Sequence, residues 1–108
     1  MAMMQDPKVV TDSFVEALRV SFGSALKGVW LFGSRARGDA HEDSDYDMLV
    51  VVEGSLPAAR RIVQDAEWTC MEKWGILVAS VVYTPEIWSK ARNSPLGWNI
   101  LREGTMVA

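Results

Sequence analysis

Apolar residues at Val10, Phe14, Leu18 and Phe22 recur every fourth position between Pro7 and Phe22 and draw one stripe along a helix. Asp6 ahead of Pro7 supplies an N-cap and a proline at the first helical position, and Gly23 supplies a stop. The pattern then changes. Gly28 to Phe32, GVWLF, reads as a short buried strand ended by Gly33. A second strand starts near Asp45 and runs through Met48, Leu49, Val50, Val51 and Val52. Its apolar run is too continuous for one face to be wet, which predicts an interior strand covered on both sides. Helical spacing returns from Leu56 to Trp74, with Ala58, Ile62, Ala66 and Cys70 in one stripe and Gly75 closing the helix. Ile76 to Tyr83, ILVASVVY, is a third strand. Thr84-Pro85 and Ser94-Pro95 each pair an N-cap with a proline at N1 and open two short helices, the last ending at Gly104. The alternation, without internal repeat, is that of a small α/β domain on a three- or four-stranded sheet.

Composition narrows the partners. At 108 residues the chain is the size of one domain, 1–108, and 49% hydrophobic with 23% charged residues is an ordinary globular balance. A formal net charge of -3 leaves no broad basic surface for a duplex, so general nucleic-acid binding is not expected. The single cysteine, Cys70, rules out an internal disulfide and fits a reducing compartment, and its place in a helical stripe makes it a core residue. The opening MAMMQDPKVV has an acid, a proline and no apolar h-region, so no signal peptide is expected. No apolar run approaches the roughly 18 residues of a membrane span. A soluble, cytoplasmic protein is the expectation.

One stretch stands apart, GSRARGDAHEDSDYDMLVV at 33–51. Asp45 and Asp47 sit two apart at the mouth of a strand, so both carboxylates point to one face, with Cα atoms about 6.5 to 7 Å apart. Converging carboxylates are a poor packing solution, and a divalent cation resolves their repulsion; Mg²⁺ takes one or two carboxylates with phosphate oxygens and water. The loop from Gly33 to Ser44 is short, so Ser34 reaches Asp45 only if the first two strands pair antiparallel. That places the amides of Gly33 and Ser34, and the Ser34 hydroxyl, beside the metal, where a triphosphate fits. Two rival motifs fail by counting. Gly33 and Gly38 have the gap of a P-loop, but Asp39-Ala40 stands where Lys-Ser/Thr is required. Asp43, Asp45 and Asp47 match the opening of an EF-hand loop, but Met48 and Gly54 occupy its glycine and glutamate positions. A bland reading stays open, in which Ser44 and the aspartates cap a polar turn. Arg35 and Arg37 either grip phosphate oxygens or pair with Asp39, Glu42 or Asp43. His41 is a lone loop histidine, more simply solvated than a metal ligand. Of five tryptophans, Trp30, Trp68, Trp74, Trp88 and Trp98, most belong in the core, with Trp88 and Trp98 candidates for a partner surface.

The wording of that stretch resembles the signature of the minimal nucleotidyltransferases of the polymerase-β superfamily, a Gly-Ser-x-Ala-Arg-Gly turn followed by Ser-Asp-x-Asp-Leu. The match is Gly33, Ser34, Ala36, Arg37, Gly38, Ser44, Asp45 and Asp47, with Met48 where Leu is usual. The resemblance implies a polymerase-β-type α/β (α+β) fold with a small mixed sheet and flanking helices. It implies Mg²⁺-dependent transfer of a nucleoside monophosphate from an NTP, ATP favoured, with Mn²⁺ as the alternative ion. Asp45 and Asp47 would be catalytic and hold the metal, and Gly33, Ser34, Arg35, Arg37 and Ser44 would bind the nucleotide. Small members are often encoded beside a HEPN-domain partner, and some act as antitoxins that nucleotidylate it. A domain this small also needs a dimer, as a homo-oligomer, or a separate subunit to present the acceptor.

The resemblance breaks at one place. It implies a third carboxylate on the strand after the long helix, at or beside Ala79, yet ILVASVVY holds no acid. In a two-metal displacement that carboxylate helps hold the ion activating the incoming hydroxyl, or serves as its base. Candidate substitutes are Asp39, Glu42 and Asp43 in the loop and Glu67 and Glu72 on the helix. Glu53 lies about 20 Å along the strand from Asp47. Two readings follow: an active nucleotidyltransferase, or a nucleotide- or partner-binding module that has lost catalysis.

Overall fold

The computed structural model describes residues 6–41 and 44–108. The first helix, α1 (Pro7–Phe22), begins at Asp6, whose carboxylate accepts from the Lys8 amide at 2.9 Å, and ends at Gly23. After a 3₁₀ turn at Gly23–Ala25 come β1 (Leu26–Phe32), the single helical turn α2 (Ser34–Arg37) and β2 (Tyr46–Val52). The long helix α3 (Leu56–Trp74) leads to β3 (Val78–Tyr83). Two short helices, α4 (Pro85–Ala91) and α5 (Pro95–Glu103), and a two-residue strand β4 (Thr105–Met106) complete the chain. Thr84 and Ser94 cap α4 and α5 as their sequences predict, the hydroxyls accepting from the amides of Ile87 and Gly97, both at 3.2 Å.

The sheet runs β3-β2-β1-β4. β1 is antiparallel to both of its neighbours, and β2 and β3 are parallel, joined by the α3 crossover. The sheet is therefore mixed and four-stranded, and the antiparallel pairing of the first two strands is the one their short connection demands. Every residue of β2 except Asp47 is buried, as expected of an interior strand covered on both faces. Strand alternation sorts the cover. Tyr46, Met48, Val50 and Val52 face α1 and α3 and pack with Phe14, Leu18, Val63 and Cys70. Leu49 and Val51 face the other way, under Trp88 of α4 and Ile100 of α5.

Two sequence expectations change here. The buried stripe of α3 is Ala59, Val63, Ala66 and Cys70, while Ala58 is exposed and Ile62 half-buried. Trp88 is not at the surface; it packs on Trp30 and Tyr83, with ring centroids 5.6 and 6.5 Å away. Trp98 and Trp68 are the open ones, 67% and 63% exposed. Among the described residues no helix is long and apolar enough to cross a membrane.

Candidate active site

The two aspartates lie at the end of the sheet where β1 leaves and β2 enters. Asp45 is exposed and immediately precedes β2, and Asp47 is its second residue, half-buried. In the antiparallel ladder Asp47 pairs with Phe32, the last residue of β1, so the next residue, Gly33, arrives directly against it. Gly33 has φ 75°, a left-handed conformation that L side chains rarely adopt. A Cβ there would run into the Asp47 carboxylate, striking Oδ2 and lying 3.1 Å from Cγ. Glycine thus does two things at this position: it turns the chain, and it leaves the carboxylate uncovered.

From Gly33 the chain makes the single turn α2. The Gly33 carbonyl accepts from the Ala36 and Arg37 amides at 3.1 and 3.0 Å, and the Ser34 carbonyl from Gly38 and Asp39 at 3.0 and 3.2 Å. The leading amides of such a turn have no partner within it. Ser34, the first residue of that turn, is half-buried.

The arginines have separate tasks. Arg35 donates from Nη2 and Nε to the Ser44 carbonyl, at 2.9 and 3.3 Å, and its guanidinium lies 4.5 Å over the Tyr46 ring. It ties the start of the loop to its end. Arg37 pairs with Asp39 through Nε and with Glu103 at the end of α5 through Nη1, both at 3.2 Å. Those bonds raise its pKa further, Asp39 contributing most. Ser44 belongs to the loop's own turn: its amide donates to the His41 carbonyl at 2.9 Å, and its hydroxyl accepts from the His41 amide at 3.0 Å.

Electrostatics mark Asp47. Burial pushes its carboxyl above the ordinary aspartate range, the Asp45 charge pushes it further, and Arg37 draws it part of the way back. A half-buried carboxylate repelled by its neighbour is stabilised by a bound cation. The donor set, two hard carboxylate oxygens open on one side because Gly33 lacks a Cβ, fits a divalent ion that completes its shell with phosphate oxygens and water. Among the described residues no third Asp, Glu, His or Cys joins the pair as a ligand.

The place for a third acid is visible. β3 runs parallel to β2 with Ala79 opposite Asp47, and Ala79 is exposed. The acids weighed as substitutes are elsewhere. Glu53, at the far end of β2, pairs with Lys27 at 2.8 Å. Asp39 is held by Arg37. Glu67 sits on α3, which covers the opposite face of the sheet, and burial raises its pKa while Ser80 partly offsets the rise. Ser80 Oγ is buried facing it, beyond hydrogen-bond geometry and without another partner. Glu72 shares that helix, and Glu42 and Asp43 lie outside the described residues.

Sequence reasoning passed over two residues that shape the site. Tyr46 lies between two aspartates that share a face, so alternation alone sends its ring to the other side, where Arg35 stacks on it. Glu103 had no local signal, because its partner Arg37 is distant in sequence.

Residues 12–92 match the family model described as a nucleotidyltransferase domain. The chain is 32% identical over 104 residues, 96% of its length and 99% of the relative's, to "Putative protein adenylyltransferase MJ0604" of Methanocaldococcus jannaschii. Its fold is similar to a solved "putative minimal nucleotidyltransferase", with a TM-score of 0.61, 26% identity and coverage of 94% of this chain and 95% of that one. It is also similar to a solved toxin-antitoxin with AMP-PNP, with a TM-score of 0.67, 19% identity and coverage of 91% and 72%.

Proposed function

Because the chain belongs to the nucleotidyltransferase domain family, we propose that it transfers AMP from magnesium-bound ATP to a hydroxyl group on a partner protein. The observation that carries the reading is Asp47 held against the side-chain-free Gly33 turn, with Asp45 close enough to act on its charge. The relative named as a protein adenylyltransferase, matched along its whole length, supports ATP as donor and a protein as acceptor.

In this reading Asp45 and Asp47 bind the ion that travels with the triphosphate, Mg²⁺ or in its place Mn²⁺. Such an ion supplies charge neutralisation of the phosphates and polarisation of the one attacked. The amides of Gly33 and Ser34 and the Ser34 hydroxyl hold the outer phosphates. Arg37 lies close enough to influence Asp47 and turns to a phosphate by exchanging one of its two acidic partners. Arg35 and Ser44 are positioning residues that hold the loop in shape around the nucleotide. The acceptor oxygen attacks the α-phosphorus and gives up its proton to water, the bond from that phosphorus to the bridging oxygen breaks, and pyrophosphate leaves with that oxygen. The acceptor surface is external to this domain: a HEPN-domain partner in a toxin-antitoxin pair is the proposed source, and a second copy of the chain the other.

One observation favours a second reading. The exposed Ala79 opposite Asp47 leaves the chain without an acid there, so the domain would bind Mg-ATP and a partner without transferring AMP. The deciding experiment follows label from α-phosphate-labelled ATP into proteins of a lysate, beside an Asp45→Asn/Asp47→Asn control. A labelled protein absent from the control supports transfer. Absence of label with measurable Mg-ATP binding selects the binding module.

A further inference from the structure

We infer that this site holds one divalent ion with its triphosphate, where two-metal phosphoryl-transfer sites hold two, and that Ala79 is the residue that sets the number. The inference rests on the reading of Asp45 and Asp47 as metal ligands and adds to it the stoichiometry of the site.

Neighbouring strands lie about 4.8 Å apart, and residues paired in a parallel ladder send their side chains to the same face. Asp47 and Ala79 are such a pair, on the open end of the sheet, and Ala79 is exposed. The ions of a two-metal site lie about 3.5–4 Å apart, within the span of carboxylates carried by adjacent strands. An ion on the triphosphate side gains several phosphate oxygens besides the carboxylates. One on the acceptor side meets far fewer and depends on protein charge. Asp47 is already opposed by Asp45, and the methyl group opposite it offers no oxygen. Nor does another described acid stand in: Glu67 is across the sheet, Glu53 is at its far end, and Asp39 is bound to Arg37. Ala79 is exposed and paired with Asp47, so an aspartate there would bring its carboxylate to the same side as Asp47.

The test counts ions without relying on turnover. The full chain, saturated with a non-hydrolysable ATP analogue, is titrated with Mn²⁺ and free ion is read by electron paramagnetic resonance. The expected result is one Mn²⁺ per chain for the wild type, two for Ala79→Asp and one for Ala79→Asn, with Asp47→Asn weakening the first ion at least tenfold. Two ions in the wild type would overturn the inference while leaving Asp45 and Asp47 as ligands. One ion in an Ala79→Asp variant that melts like the wild type would overturn the role given to Ala79. No Mn²⁺ bound by the wild type, with the analogue bound, would overturn the metal reading itself and this inference with it.

Discussion

At Gly33 a side chain would meet the Asp47 carboxylate from a backbone conformation it disfavours. Gly33→Ala therefore lowers stability by about 1–3 kcal/mol, from left-handed strain and displacement of Asp47. Chemical denaturation reads the loss, and with Asp47 as the proposed metal ligand affinity for Mn²⁺ falls in the same variant. Asp45→Asn behaves in the opposite way. It removes a charge that opposes Asp47, so stability is kept or slightly raised, while under the proposed function nucleotidyl transfer drops at least a hundredfold. A folded Asp45→Asn protein that still transferred a nucleotide would overturn the catalytic role proposed for this residue. The aspartate pair was legible in the sequence because its meaning is local: two acids two apart at a strand entrance share a face whatever the rest of the chain does. The Arg37–Glu103 contact was not, since it exists only once α5 has packed beside the loop.

Element by element, helix starts and stops were legible, the starts of β1 and β3 were each two residues off, and rotations were less so. Caps and N1 prolines at Asp6-Pro7, Thr84-Pro85 and Ser94-Pro95 act through neighbouring amides, and the helices begin where those residues place them. In α3 the stripe Ala58, Ile62, Ala66, Cys70 keeps a strict spacing of four, which gains about 40° per step on a helix of 3.6 residues per turn. Such a stripe winds off the buried face. The observed Ala59, Val63, Ala66, Cys70 mixes steps of four and three and stays on it. β4 gave no periodic signal at all, being two residues recruited by pairing with Trp30 and Leu31. Arg35 ties the start of the loop between β1 and β2 to its end. Arg35→Ala loses the bonds to the Ser44 carbonyl and the stack on Tyr46, and destabilises the chain by about 1–2 kcal/mol. Hydrogen exchange at residues 39–41 and 44–45 rises more than in α3; uniform exchange would show that the arginine is not the clasp.

For the molecule as a whole, Glu67 links stability to pH through the α3 layer, away from the aspartates. Burial raises its carboxyl pKa, so the folded chain keeps the proton to higher pH than the unfolded chain does. Its contribution to stability is most favourable in acid and declines as pH rises from 4.5 through the raised folded value. Glu67→Gln removes that slope: the variant melts higher than the wild type at about pH 7 and close to it at about pH 4. Calorimetry at both values checks it, and an equal shift at both would assign the effect to packing instead.

The antiparallel neighbours β1 and β2 are joined by residues 33–45, whereas the parallel neighbours β2 and β3 are joined by the longer crossover 53–77. Closing the shorter loop costs less entropy, and local contacts form faster than distant ones. The hairpin carrying Gly33, Arg35, Asp45 and Asp47 is thus the early-forming half of the domain. β3, with Ala79, docks onto it later. A substitution at Ala79 should consequently leave the refolding rate nearly untouched and act on the unfolding rate, while one in the hairpin slows refolding itself.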